Sequence, residues 1–100
     1  MNIIIVGAGE IGRHLATELS REAHSIAVIE RDQVLAAELE RSIDAKVVRA
    51  DGSSVHALAQ ANIGECELFL ALTSDNTTNL MSASMAKSMG VKQVVSRVHP

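Results

Sequence analysis

The stretch "IIIVGAGEIG", residues 3–12, passes from a β-branched apolar run at 3–6 to three glycines, Gly7, Gly9 and Gly12. Ile and Val are stiff at χ1 and pack well on a pleated surface, so residues 3–6 read as a buried strand. Beyond the glycines, Ile11, Leu15 and Leu19 recur at i, i+4 and i+8, the spacing of one helical face. In a G-x-G-x-x-G turn between strand and helix, the first glycine permits a tight turn. The second lets a diphosphate approach backbone N–H groups with no Cβ in the way, and the third lets helix and strand pack closely. The free amides and positive end of the helix starting near Glu10 then form an anion site. The candidate residues of this loop are Gly7, Ala8, Gly9, Glu10, Ile11 and Gly12. Glu10 brings negative charge toward the same anion; its side chain is expected to point outward, with Arg13 one turn on offsetting it.

The alternation continues along the chain. Apolar runs recur at "IAVI" (26–29), "VV" (47–48), "LFLAL" (68–72) and "VVSRV" (94–98). Between them, Leu35, Leu39 and Ile43, then Val55, Leu58 and Ala59, then Met81, Met85 and Met89 define helical faces. The methionine stripe reads as core filler against a sheet. Asp32, Ser53 or Ser54, and Ser74 or Asp75 are placed to cap these helices, with Gly64 and Gly90 closing the last two. Strands apolar on both faces and joined by helices must run parallel with helices on both sides. Right-handed crossovers then give an α/β, Rossmann-like doubly wound parallel sheet of order 3-2-1-4-5 in a single domain. A full dinucleotide fold continues to a sixth strand, which is expected to be missing here. The fifth strand would be left as an exposed apolar edge for a partner chain or a C-terminal continuation.

Ligands of open α/β sheets bind at the carboxyl ends of the strands, where the strand order reverses. After the second strand stands Glu30 in "AVIERD", about 20 residues beyond the glycines, where a carboxylate can accept from both ribose hydroxyls. It would repel a 2′-phosphate, which favours NAD(H) over NADP, with Arg31 partly offsetting the repulsion. After the third strand comes "ADGSS", with Asp51, Gly52 and Ser53; after the fourth "TSD", Thr73, Ser74 and Asp75; the fifth carries Arg97. Asp51 is placed to accept from an adenine amino group, and Thr73 to touch ribose or phosphate. Ser53, Ser74 and Asp75 serve equally well as caps.

One hundred residues suffice for one core and not for a catalytic domain plus a substrate domain. Nine basic against twelve acidic residues give a net charge of −3, with no surplus to attract nucleic acid or an anionic membrane. No apolar run approaches the roughly 20 residues of a membrane span, so no direct membrane insertion is expected and the chain reads as cytoplasmic. Cys66 is the one cysteine, and the four histidines form no i, i+4 pair, so no metal site is expected.

The segments "MNIIIVGAGEIGRHLA", "VIERD", "RADGSSVHALAQANI", "FLALTSDNTTNLMSASMAKSMGV" and "VVSRVHP" together resemble the N-terminal nucleotide-binding domain of the Trk/Ktr potassium-uptake regulatory proteins, the RCK or TrkA-N family. The resemblance covers essentially the whole chain. It implies that Gly7, Gly9 and Gly12 cradle phosphates, Glu30 holds ribose, Asp51 lies by adenine and Thr73 lines the cleft. Asp75 and Asn79 match the family's acidic and asparagine positions at the fourth helix start, and Arg97 a basic residue at the end of the fifth strand. Family members bind NAD(H) or adenine nucleotides and pass ligand state to a membrane potassium transporter through a ring of such domains. The turn "RADGSS" departs from the commoner "GDGT", and the family's dimerising last strand and helix lie outside the chain.

The leading expectation is a non-catalytic nucleotide-sensing module, a homo-oligomer acting on a potassium transporter subunit. Its ligand is NAD(H), with AMP, ADP or ATP as alternatives; Glu10, if it faces the site, tilts the choice away from ATP. The runner-up is the cofactor half of an NAD-dependent oxidoreductase, which needs an acid or base near the nicotinamide. A third reading is a structural remnant that binds nothing.

Overall fold

The computed structural model describes Met1–Pro100. The chain alternates β1 (Asn2–Val6), α1 (Glu10–Ser20), β2 (Ser25–Ile29), α2 (Gln33–Ser42), β3 (Lys46–Val48), α3 (Val55–Gln60), a 3-10 turn (Ile63–Glu65), β4 (Leu68–Ala71), α4 (Asn76–Ser88) and β5 (Gln93–Ser96). All neighbours in the sheet pair in parallel, in the order β3-β2-β1-β4-β5. Crossing from β3 back past β1 to β4 reverses the direction of winding, and the switch falls beside the glycine turn.

Alternate residues of β1 to β4 feed two cores. Ile3, Ile5, Ile26, Val28 and Leu70 face α1 and α2, where they meet Ala16 and Leu39. Ile4, Val6, Ala27, Ile29, Phe69 and Ala71 face α3 and α4, where they meet Leu58 and Ala86. The central strands are thus apolar on both sides because both sides are covered.

The helix ends follow local chemistry. Asp32 accepts from the amides of Val34 and Leu35, Ser54 from Ala57 and Asp75 from Thr78, each filling an orphan donor of a first turn. Gly90 takes φ +97° just past α4, where a side chain would be strained. Gly64 does not close α3, which ends at Gln60; it lies within the 3-10 turn that follows.

Two helical faces differ from the expected ones. Only one residue of the methionine stripe of α4 packs on the core: Met85 is partly buried against it, whereas Met81 and Met89 are 51% and 40% exposed, and the buried face is Asn79, Ser82 and Ala86. Small and self-satisfied side chains let α4 lie close on β4 and β5, and Ser82 Oγ donates to the Asn79 carbonyl. In α1, Gly12 and Ala16 are buried for the same reason, while Ile11 is exposed on the cleft side. The fifth strand is indeed an apolar edge. Val95 is 50% exposed because α1 and α2 cover β1, β2 and β3 and stop short of β5. No helix is long and apolar enough to cross a membrane.

Candidate functional site

The carboxyl ends of all five strands open into one cleft of about 400 Å³. Its floor is the turn after β1. Gly7 sits at φ +105°, and a Cβ there would lie 3.0 Å from the Thr73 nitrogen. At Gly12 a Cβ would fall 1.9 Å from the Gly7 carbonyl oxygen, so α1 packs backbone to backbone on the turn. Gly9 differs from both: its φ is −71°, and a Cβ would meet nothing within 4 Å. Gly9 is also the N-cap of α1 and supplies no side-chain acceptor, so the first-turn amides face the cleft uncapped.

Glu30, at the end of β2, spends both carboxylate oxygens on backbone. The Ala8 N–H donates to Oε1 at 2.7 Å and the Asp32 N–H to Oε2 at 2.8 Å, tying the glycine turn to the start of α2. Each oxygen keeps a lone pair for a further donor. Ala8 itself is buried with its amide already used, so it does not line the cleft.

Beyond β3, Gly52 is buried because a Cβ there would strike Val6 Cγ1 at 2.2 Å. That close approach folds the turn over the end of β1 and delivers Asp51 to the cleft. The Ser53 N–H and Oγ–H both donate to Asp51 Oδ1, at 2.9 and 2.8 Å; Ser53 supports Asp51 and is not a lining residue. These hydrogen bonds, with help from the Arg31 charge, hold the Asp51 carboxyl below its usual 3.8. A depressed folded-state pKa adds stability that is present above 3.8 and lost as pH falls through the native value. Asp51→Ala should therefore cost about 0.5–1 kcal/mol at neutral pH. The difference should vanish at strongly acidic pH, which urea titrations at the two pH values check.

The loop after β4 is organised by Asn79, which is fully buried. Its Oδ1 accepts from the Thr73 N–H (2.9 Å) and Oγ1 (2.7 Å), and its Nδ2 donates to the carbonyls of Thr73 and Arg97 (3.0 Å each). With all four contacts internal, Asn79 does not line the cleft and cannot touch a ligand in it. It holds Thr73 and Arg97, which do. Asn76 and His99 reinforce the arrangement: the His99 N–H donates to Asn76 Oδ1, Asn76 Nδ2 donates back to the His99 carbonyl, and His99 Nε2 lies 3.1 Å from the Thr73 carbonyl. Asp75 caps α4 through Thr78, whose hydroxyl and amide hold its carboxyl below the usual range.

The structure thus gathers Gly7, Gly9, Glu10, Ile11, Glu30, Arg31, Asp51, Gly52, Thr73, Ser74, Asp75 and Arg97 around one cleft. Ala8, Gly12, Ser53 and Asn79 stand behind them as supports. Glu10 lines the cleft as an exposed residue, and Arg13 does not offset its charge: the Arg13 guanidinium lies 3.9 Å from Glu38 on α2. Asp32, Leu35, Leu72 and Thr78 also line the cleft. Asp32 carried only a capping signal in the sequence, Leu35 and Leu72 only core patterning, and Thr78 no signal of its own. At the opposite end of the sheet, burial pushes the Cys66 thiol up, in keeping with a packing role.

The TrkA-N domain model matches residues 3–100. Curated relatives include a Trk system potassium uptake protein TrkA homolog of Methanothermobacter thermautotrophicus, 30% identical over 98% of this chain and 45% of its own length. The Trk system potassium uptake protein TrkA of Halomonas elongata is 35% identical over 97% of this chain and 21% of its own length. The chain therefore spans less than half of these relatives. Among solved structures, the AMP-bound C-terminal domain of Shewanella denitrificans Kef superimposes with a TM-score of 0.78 at 18% identity, over 95% of this chain and 58% of that one. A Thermotoga maritima UDP-glucose 4-epimerase gives 0.74 at 20%, over 94% and 36%. Such distant likenesses carry the fold alone; the relatives and the family model carry more, and by them this chain belongs to the TrkA-N domain family.

Proposed function

We propose that this domain is a nucleotide sensor: it binds NAD(H) or an adenine nucleotide in the cleft, and a membrane potassium transporter reads its occupancy. The pyrophosphate would lie on the Gly7–Gly12 turn, the ribose on Glu30 and the adenine beside Asp51, with Thr73 and Arg97 flanking the phosphates. The observation that carries this reading is the empty space at Gly9. Gly7 needs its positive φ and Gly12 its close packing, whereas nothing in the fold itself requires glycine at position 9. A ligand that must reach the bare first-turn amides does require it. The Glu30 carboxylate supports NAD(H) over NADP, because a 2′-phosphate would meet a charge already fixed in place by two amides.

The relatives' names support a transporter as partner, and with it a cytoplasmic position at the inner face of the membrane. The uncovered β5 edge, with Val95 and Val98 exposed, supports a sixth strand or a second copy there and hence a homo-oligomer. A non-catalytic role is supported by the site's polar groups: Glu30, Asp51, Asp75 and His99 are engaged with the protein's own backbone. Ligand state can be passed on only if the nucleotide binds one domain arrangement better than another.

Calorimetric titration with NADH, NAD, AMP, ADP and ATP should show at least one binding at micromolar strength or better. Gly9→Ala should weaken that binding about tenfold or more while costing less than about 1 kcal/mol of stability. Silence from all five nucleotides, or an affinity indifferent to Gly9→Ala, would refute the assignment.

A further inference from the structure

Glu10 stands apart from the other carboxylates of the cleft. Glu30, Asp32, Asp51 and Asp75 each accept from backbone amides at 2.7–3.1 Å. Glu10 has no hydrogen-bond or ion-pair partner, since the nearest cation along its own helix, Arg13, is turned to Glu38. It is the first residue of α1 and lines the cleft directly beside the open space at Gly9. An unpaired charge there complements the helix dipole while the amides are empty, and opposes each further negative charge brought to them.

We propose that Glu10 makes the cleft selective for a capped pyrophosphate, as in a dinucleotide, against free di- and triphosphates. This rests on the nucleotide reading above and deepens it. In a dinucleotide each phosphate is a diester bearing one negative charge. The terminal phosphate of ADP or ATP is close to a dianion near neutral pH, since its second ionisation lies near 6. Relative to a dinucleotide's pyrophosphate, ADP therefore carries about one more negative charge and ATP, on a longer phosphate chain, about two more. The cleft is short of cations to answer it: Arg31 and Arg97 line it against five carboxylates, Glu10, Glu30, Asp32, Asp51 and Asp75.

The test compares NADH, ADP and ATP, in EDTA and low salt, on the wild-type protein, Glu10→Gln and Glu10→Lys. Glu10→Gln should raise ATP affinity about tenfold, ADP affinity less, and NADH affinity about threefold at most. Glu10→Lys should move all three further in the same order, and high salt should shrink the differences. Because Glu10 is exposed and unpartnered, both variants should keep the far-UV dichroism of the parent. Nucleotides that bind with the same NADH-to-ATP ratio in all three proteins would overturn the role of Glu10 and leave the cleft assignment standing. No binding of any nucleotide to any of the proteins would overturn both.

Discussion

Gly12→Ala should lower the unfolding free energy by about 3 kcal/mol or more, read as a shift in the urea midpoint at constant slope. The new methyl would stand 1.9 Å from the Gly7 carbonyl oxygen and 2.9 Å from its carbon, and backbone cannot turn aside as a side-chain tip can. Gly7 has no room to retreat. Its own Cβ position is 3.0 Å from the Thr73 nitrogen and 3.1 Å from Leu72, so the turn is wedged between α1 and the loop after β4. Relief requires α1 to move off β1, which opens the packing of Ala16 against Ile3, Ile5 and Ile26. Overpacking in a compliant core costs about 1–3 kcal/mol, and this site belongs at or above the top of that range. A loss below about 1 kcal/mol would show that α1 slides freely on the sheet.

Asn79→Leu should cost about 3 kcal/mol as well, for the opposite reason: it removes partners without adding bulk. The Thr73 N–H and the Arg97 carbonyl, themselves part-buried, would lose the fully buried amide side chain that satisfies them at 2.9 and 3.0 Å. Each stranded group costs about 1–3 kcal/mol, and the two do not simply add. Asn79→Asp sharpens the test. Its shape is retained, yet an ionised carboxylate would press oxygen against the two carbonyls that Nδ2 now serves. Burial would raise the pKa of that carboxyl above its unfolded value, so the variant's deficit should be largest at neutral pH and shrink on acidification. Urea titrations near pH 7 and near pH 4.5 would show this. A deficit independent of pH would place the carboxylate in contact with water and contradict the burial described above.

Much of the architecture is legible in the chain because the central strands are buried on both faces. Continuous apolar residues at 3–6, 26–29 and 68–71, with helical spacing between them, leave a parallel sheet with helices on both sides. The turn "GAGEIG" adds the position of the switch point. The α4 face was not legible, since hydrophobic periodicity scores Met81, Met85 and Met89 and passes over Asn79 and Ser82. The buried face of that helix is chosen by closeness to the sheet, which rewards small side chains with satisfied polar atoms over large apolar ones. The cleft residues divide on similar lines. Glu30, Asp51 and Thr73 could be placed at strand ends by counting, but counting does not separate Thr73, which lines the cleft, from Asn79, which holds it from behind.

The order of apolar runs and glycines dictated by itself the winding of the sheet and the edge at which a cleft would open, because both follow from periodicity and from where a Cβ is forbidden. Which polar groups remain free for a ligand was settled by three-dimensional packing. Hydrogen bonds between residues 18 to 26 positions apart, such as Ala8 to Glu30 and Asn79 to Arg97, use up some donors and acceptors and leave others, Gly9 and Glu10 above all, facing open space.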